Sequence, residues 1–152
     1  MNTSVSRFVI CLLFMSLAAC SKPDFNTVSG SGGNFAQGKW LIINYWATWC
    51  GPCRDEIPDL NEFMLKRADL KIYGVNYDNL SGEALNAAIA EMGIEFDSML
   101  ADPAPQLNIP RPRVLPTTLL IDPEGNLKAT LVGPQTASTL SVAITKAGAS
   151  AP

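Results

Sequence analysis

The sequence predicts an α/β protein whose central sheet is mixed and is flanked by helices. Three observations indicate this class. Over residues 40–92, short β-prone apolar runs alternate with segments whose apolar residues recur at helical spacing. Strands joined through helices pair in parallel. Two further apolar runs enclose a turn-rich segment at 122–126, which is typical of an antiparallel hairpin. The 152 residues, 47% of them hydrophobic, are enough for one domain with a packed core.

The first strand and helix are clearly marked. The run Trp40–Trp46 is apolar except at Asn44, which predicts a buried central strand. Pro52 fits the first turn of a helix, and apolar side chains then recur at helical spacing. These side chains are Ile57, Leu60, Phe63 and Met64.

The remaining elements complete the order β-α-β-α-β-β-α. Leu70–Tyr77 has the pattern of a second strand, and Ser81 can cap a helix that runs to about Met92. The segment 122–126, Asp-Pro-Glu-Gly-Asn, supplies the turn of the hairpin. The last predicted elements are strands over Thr117–Ile121 and Leu127–Val132 and a helix over 135–147.

The composition excludes several classes of function. The absence of histidine excludes Ser-His-Asp and Cys-His catalysis and His-ligated metal sites. The net charge is −3 and the basic residues are scattered, so we expect no nucleic acid partner, because phosphate binding needs a basic face. No flavin or nicotinamide motif is present, and we predict neither a cofactor nor a metal. The chemistry that remains belongs mainly to four cysteines and the carboxylates.

Residues 1–19 have the pattern of an export signal peptide. Arg7 supplies positive charge, and Phe8–Leu17 is an apolar run too short to span a membrane. The ending Leu17-Ala18-Ala19-Cys20 resembles the lipobox of bacterial lipoproteins, which implies that Cys20 is lipidated and anchors the protein to a membrane. A buried N-terminal helix and a secretory signal without lipid are the alternatives.

The predicted signal peptide and lipobox indicate how the rest of the chain is organised and where the protein is located. Residues 20–34 are turn-rich and are predicted to hold the lipid-anchor cysteine and a flexible tether. Residues 35–148 form the predicted domain, and 149–152 a tail. We expect the protein on the periplasmic face of a bacterial membrane, where disulfides persist. In a Gram-negative cell, Ser21 in place of an aspartate favours the outer membrane.

A pair of cysteines lies where the first strand ends and the first helix begins. In Trp49-Cys50-Gly51-Pro52-Cys53, the two-residue spacing brings both sulfurs into one turn. Cys50 at the helix N-terminus is expected to have a lowered pKa and to act as the nucleophile, and the more buried Cys53 suits a resolving thiol. A zinc half-site would need further ligands, and a structural disulfide would stabilise little across so short a loop.

The surrounding segment Asn44–Leu60, with its Trp-Cys-Gly-Pro-Cys motif, resembles the active-site segment of membrane-anchored, thioredoxin-like proteins of the TlpA/ResA type. The resemblance covers roughly residues 35–148 and implies a thioredoxin fold and thiol–disulfide exchange. Asn44 stands where thioredoxin has a buried aspartate, so acid–base help must come from another group. Glu56 matches the active-site glutamate of ResA-like proteins. Its alternative role is that of a solvated acid in the first turn of the helix.

The resemblance also implies a binding surface beside the dithiol. Pro116 is expected to be cis and to face the cysteines, leaving a backbone edge at Leu115 that could pair with an extended substrate chain. Trp49 is expected to flank the thiol and contact partners together with Gly51 and Pro52. Trp46 and Pro58 are assigned to the core and to the shape of the helix.

Two features depart from the family pattern. The stretch before the first strand is short, so the N-terminal hairpin of TlpA-like proteins is expected to be reduced or absent. Residues 101–116 are proline-rich and carry Arg111 and Arg113. This loop either selects acidic partner segments through its arginines or is merely a stiff, solvated connection.

These observations favour an extracytoplasmic thiol–disulfide oxidoreductase. The Cys50 thiolate would attack a substrate disulfide, and Cys53, deprotonated with help from Glu56, would resolve the mixed disulfide. Gly-Pro between the cysteines, as in thioredoxin, favours a reductase of disulfides in exported proteins, with apocytochrome c one substrate the resemblance implies. A membrane electron donor is then needed, and a monomer is expected.

Other functions are compatible with parts of the same sequence. The first is a periplasmic oxidase that installs disulfides with the same dithiol. The second is a non-catalytic docking lipoprotein with a thioredoxin fold, although both cysteines and Pro116 are retained. The third is a thiol peroxidase, whose Thr-x-x-Cys site Thr48-Trp49-Cys50 does not match.

Overall fold

The computed structural model of the protein describes residues 22–148. The predicted signal peptide, Cys20 and the tail at 149–152 lie outside the described residues. The elements in chain order are β1 (Phe25–Asn26), β2 (Gly32–Gly33), β3 (Trp40–Trp46), α1 (Gly51–Lys66), β4 (Leu70–Asn76), α2 (Gly82–Met92), β5 (Asp97–Ser98), β6 (Thr117–Ile121), β7 (Leu127–Val132) and α3 (Ala137–Lys146). Within this part of the chain no helix is long and apolar enough to cross a membrane.

The five-stranded central sheet has the order β5-β4-β3-β6-β7. Strand β3 lies in the middle, parallel to β4 and antiparallel to β6, and β6 forms an antiparallel hairpin with β7. The predicted α/β class with a mixed sheet is therefore confirmed. In this register Asn44 lies beside Gly74 on one side and Thr118 on the other. These three positions share one face of the sheet.

The two faces of the sheet are covered differently. Ile42 and Trp46 of β3 belong to a core that includes buried side chains of α1, α2 and α3. Leu41, Ile43 and Tyr45 point to the opposite face, because successive side chains of a strand alternate, and pack with Phe25, Met99 and their neighbours. The helices therefore lie on the Asn44 face, and short strands and loops cover the other.

Part of the segment expected to be a flexible tether is folded. Strands β1 and β2 pair as a hairpin of two residues each, and Phe25 is buried with its ring 5.1 Å from that of Tyr73 and 5.3 Å from that of Phe35. Gly33 permits this packing, because a Cβ there would lie 2.3 Å from the Phe25 ring. In this Ser- and Gly-rich segment, whose composition suggested a flexible tether, Gly33 thus leaves space for the buried Phe25 ring. The stretch before β3 holds a short hairpin, where a reduced or absent one was expected.

We expect Phe25→Ala to lower the free energy of unfolding by about 3 kcal/mol, since it removes a buried aromatic side chain and leaves a cavity. Urea denaturation of the oxidised protein, followed by tryptophan fluorescence, measures this change. The exposed neighbour Asn26, changed to alanine, is the matched control and should cost less than about 0.5 kcal/mol. A Phe25→Ala variant as stable as the control would show that the hairpin adds nothing to the domain.

Candidate active site

The chain turns sharply between the end of β3 and the start of α1, and both cysteines lie at this turn. Cys50 is the N-cap residue of α1, with extended backbone angles, and its Sγ accepts a hydrogen bond of 3.2 Å from the Cys53 amide. The Arg54 guanidinium donates to the carbonyl of Thr48 at 2.8 Å and so fixes the turn before Cys50. Pro52 occupies the first turn of the helix, as predicted.

Cys50 and Cys53 are joined by a disulfide, with 5.3 Å between their Cα atoms. Cys53 is fully buried, whereas 5% of Cys50 is exposed. Trp49, Gly51 and Pro52 are exposed around it. A partner can therefore approach the disulfide from the Cys50 side. The amide groups at the N-terminus of α1 and its dipole favour negative charge on the Cys50 sulfur after reduction.

Glu56 lies one turn after Cys53 on the buried face of α1, with only 2% of its surface exposed. Each carboxylate oxygen has one partner. The Asn44 amide nitrogen donates to Oε1 at 2.7 Å, and the Gln135 backbone amide donates to Oε2 at 2.7 Å. The alternative of a solvated helix acid therefore does not hold for Glu56.

Burial raises the pKa of Glu56 to about 7, and the hydrogen bonds from Gln135 and Asn44 limit the rise. Desolvation disfavours the charged carboxylate, and two neutral donors replace only part of its hydration. A carboxyl group with this pKa can both accept and release a proton near neutral pH. This property suits a general acid–base group.

Two residues of the hydrogen-bond network around Glu56, Gln135 and Thr118, were missed in the sequence. Gln135 acts through its backbone amide, so its residue type carries no signal. Thr118, whose hydroxyl lies 3.1 Å from the Asn44 amide nitrogen, could have been found only by placing β6 beside β3 in the observed register. Asn44 itself is not titratable, as expected, but its side chain binds the titratable carboxylate of Glu56.

The Leu115–Pro116 peptide bond is cis, as the resemblance implied. Pro116 is buried, and its carbonyl accepts a hydrogen bond of 2.9 Å from the Gly133 amide. Within residues 22–148, the backbone N–H and C=O of Leu115 make no internal hydrogen bond. This short backbone edge is therefore free to pair with an extended chain.

Trp49 is an exposed aromatic residue directly before Cys50 of the disulfide. Its side chain is 64% exposed, its indole N–H donates to Asp78 at 2.9 Å, and its ring meets Tyr77 edge to face at 6.3 Å between centroids. Trp46, by contrast, is fully buried in the core. The burial of Trp46 agrees with its predicted place in the core, and contact of Trp49 with partners stays a prediction.

Arg111 has a structural task that the sequence did not reveal. Its guanidinium lies 4.2 Å from the centre of the Tyr77 ring, forms a 2.7 Å ion pair with Asp102 and donates to the Tyr77 carbonyl. Asp102 also accepts a hydrogen bond of 2.7 Å from the hydroxyl of Tyr45 in β3. Arg111 therefore holds the proline-rich loop against the sheet, and its charge is already paired. Arg113 is exposed.

The arrangement brings together a disulfide, a buried carboxyl group and a free backbone edge. In the described part of the chain no three cysteine or carboxylate side chains are grouped so that they could hold a metal ion. A disulfide together with a buried carboxyl group whose pKa is raised to about 7 can support exchange at sulfur with proton transfer. Cys50, Cys53, Glu56 and Leu115 were among the predicted site residues, whereas Thr118 and Gln135 were not.

Comparisons with known proteins agree with this geometry. The model of the AhpC/TSA family matches residues 18–130. The chain is 34% identical over 101 residues to the thiol:disulfide interchange protein HelX of Rhodobacter capsulatus, covering 66% of this chain and 56% of HelX. It is 32% identical over 106 residues to the thiol-disulfide oxidoreductase ResA of Bacillus subtilis, covering 68% of this chain and 59% of ResA. The chain thus spans little more than half the length of these relatives.

Solved structures show the same fold. StoA of Bacillus subtilis superposes with a TM-score of 0.65 at 22% identity, over 79% of this chain and 93% of StoA. A thiol:disulfide interchange protein of the thioredoxin family from Chlorobium tepidum gives a TM-score of 0.64 at 28% identity, over 85% of this chain and 99% of that one. With a thioredoxin-like fold, a Cys-Gly-Pro-Cys disulfide at the start of α1 and these relatives, the chain belongs to the AhpC/TSA family as a thioredoxin-like protein of the TlpA/ResA type.

Proposed function

We propose that this protein is an extracytoplasmic thiol–disulfide oxidoreductase that reduces disulfides in exported proteins. The observation that carries the proposal is the Cys50–Cys53 disulfide at the N-terminus of α1, with Glu56 buried one turn behind it. Relatives named as a thiol:disulfide interchange protein and a thiol-disulfide oxidoreductase support the reaction class. The dithiol itself carries the two electrons, so no further redox group is required.

The first step uses the exposed side of the dithiol. In the reduced protein, the Cys50 thiolate attacks one sulfur of a substrate disulfide, forming the mixed disulfide and releasing a substrate thiolate. The edge at Leu115 lies free for backbone pairing with the substrate segment, and Trp49 offers an apolar surface beside the sulfur. Backbone pairing would let the protein accept substrates of varied sequence.

The second step uses the buried side. Cys53 is shielded from solvent and must lose a proton before it can attack. Glu56 takes this proton, the Cys53 thiolate attacks the Cys50 sulfur, and the second substrate thiolate leaves. The mixed disulfide breaks and the Cys50–Cys53 bond forms, which is the oxidised state seen in the structure. Two electrons have then passed from the dithiol to the substrate.

The direction of electron flow follows from the reduction potential of the Cys50–Cys53 pair. We expect a value near or below about −240 mV, close to the thioredoxin end of the scale. Equilibration of a variant beginning at residue 21 with glutathione or dithiothreitol buffers measures it. A potential above about −160 mV would instead match the strong oxidants and would make the protein a disulfide donor.

The proposed reductase needs an electron donor, substrates and a location in the cell. A reductase must itself be reduced, so we propose a membrane electron donor, and disulfide-containing exported proteins, apocytochrome c among them, as substrates. Lipidation of Cys20 would hold the domain at the periplasmic face of a membrane, with the outer membrane favoured in a Gram-negative cell. Labelling cells with a palmitate analogue tests the anchor, and absence of label on the wild-type protein would refute it.

A further inference from the structure

The Asn44 carboxamide makes an unequal set of contacts. Its nitrogen donates to Glu56 Oε1 at 2.7 Å and to the Thr118 hydroxyl at 3.1 Å, whereas its oxygen, fully buried, has no hydrogen-bond partner. An unpartnered buried acceptor is uncommon in native proteins and points to a function or a second state. No partner on the oxygen side therefore holds the amide in its present orientation.

The opposite side of Glu56 is fixed. Oε2 accepts from the backbone amide of Gln135, which lies directly before the N-cap residue Thr136 of α3. A backbone N–H can only donate, so Oε2 must remain an acceptor in both protonation states of Glu56. In a carboxylic acid the carbonyl oxygen keeps this role, and the proton therefore resides on Oε1.

A proton on Oε1 conflicts with the present orientation of Asn44. The O–H of Glu56 and the N–H of Asn44 would then be two donors facing each other. A half turn of the carboxamide exchanges its nitrogen and oxygen, and the oxygen then accepts from Glu56. The Thr118 hydroxyl suits both orientations, because it can accept from the amide nitrogen or donate to the amide oxygen.

We propose that Asn44 is a positioning residue whose carboxamide turns over when Glu56 gains or loses its proton, so that a hydrogen bond to Glu56 Oε1 is kept in both states. This inference rests on the proposed acid–base role of Glu56. An aspartate at position 44 could not do the same, since it would place a second carboxylate against Glu56 and couple the two titrations. By turning over, the amide changes from a hydrogen-bond donor to an acceptor while it stays uncharged.

No other titratable group contacts Glu56 and Asn44 within the described residues. Strand β3 contributes Asn44, strand β6 contributes Thr118 and the segment before α3 contributes the Gln135 amide, none of which titrates. On α1 the neighbouring Cys53 is held in the disulfide. Within the described residues, burial and the two hydrogen bonds account for the pKa of Glu56, and no charged side chain acts on it.

The test is an NMR titration of the oxidised protein between about pH 5 and pH 9, which brackets the Glu56 pKa of about 7. The Glu56 carboxyl carbon reports its protonation, and cross-peaks from the Asn44 side-chain amide hydrogens to Thr118 report the orientation. We expect these cross-peaks to weaken several-fold as the pH falls, with the same midpoint as the carboxyl carbon. Cross-peaks that persist unchanged while Glu56 titrates would overturn the proposal, and so would a Glu56 that does not titrate.

Glu56→Gln provides the matched control. Its side chain keeps an oxygen for the Gln135 amide and presents an N–H to Asn44, as the protonated acid does. Asn44 is therefore expected in the turned orientation at every pH, with the cross-peak pattern of the wild type at low pH. A Glu56→Gln pattern equal to that of the wild type at high pH would also overturn the proposal. Because no turnover is measured, failure here is distinct from failure of the oxidoreductase activity, which a reductase assay tests separately.

Discussion

Replacement of Cys50 by serine is expected to abolish thiol–disulfide exchange, with a fall in rate on the order of 10³-fold or more. Serine forms no anion comparable to a thiolate near neutral pH, and Cys53 is fully buried and cannot take over the attack. Reduction of a model disulfide protein, followed by the appearance of free thiols, measures the effect. The domain should remain folded, because a disulfide that closes so short a loop adds little stability.

The Cys53→Ser variant separates the two steps of the reaction and serves as the control for the first. Attack by Cys50 remains, but no thiol resolves the product, so the mixed disulfide with the substrate should accumulate. Mass spectrometry without reductant would detect one adduct per protein on Cys53→Ser and none on Cys50→Ser. Adducts on Cys50→Ser alone would reverse the roles of the two cysteines and contradict the proposed mechanism.

The central part of the fold was predictable because its signals are local. The apolar run of β3, the proline in the first turn of α1 and the turn at 122–126 each act within a few residues. Helix α2 has the predicted bounds, with Ser81 as its N-cap, although the side chain of Ser81 makes no capping hydrogen bond. The two-residue strand β5 leaves no periodic pattern and could not be predicted.

The features that were missed depend on contacts between distant segments. Phe25 lies in a segment whose composition indicates a flexible chain, and only its packing on Tyr73 turns that segment into part of the domain. Arg111 was expected either to attract acidic partner segments or to lie in a stiff, solvated loop, yet it pairs with Asp102 nine residues earlier and packs on Tyr77. Such pairings follow from tertiary structure, since each residue type on its own is compatible with an exposed loop.

Glu56→Gln is expected to change the pH dependence of stability more than any other substitution in the site. The pKa of Glu56 is about 7 in the folded protein and near the ordinary 4.5 in the unfolded chain. The folded state therefore binds more protons between these values, and its free energy of unfolding falls as the pH rises from about 4.5 to about 7. At about 1.4 kcal/mol per pKa unit, ionisation of this buried carboxyl costs about 3 kcal/mol above pH 7.

The neutral glutamine removes that loss, so Glu56→Gln should be more stable than the wild type by up to about 3 kcal/mol at pH 8 and nearly equal to it at pH 4. Urea denaturation of both oxidised proteins across this range gives the difference directly. Asp55→Asn is the matched control, because Asp55 is an exposed carboxylate on the same helix and should leave the pH profile unchanged.

A Glu56→Gln profile parallel to that of the wild type would contradict a raised pKa and remove the basis for proton transfer by Glu56. The expected divergence of the two profiles has a functional meaning, since a buried carboxylate that destabilises the fold near neutral pH is present where a stabilising amide would fit. The same substitution should slow resolution of the mixed disulfide, because the glutamine cannot accept the Cys53 proton. If Glu56→Gln is more stable than the wild type but slower in thiol–disulfide exchange, then Glu56 serves the reaction and not the packing of the core.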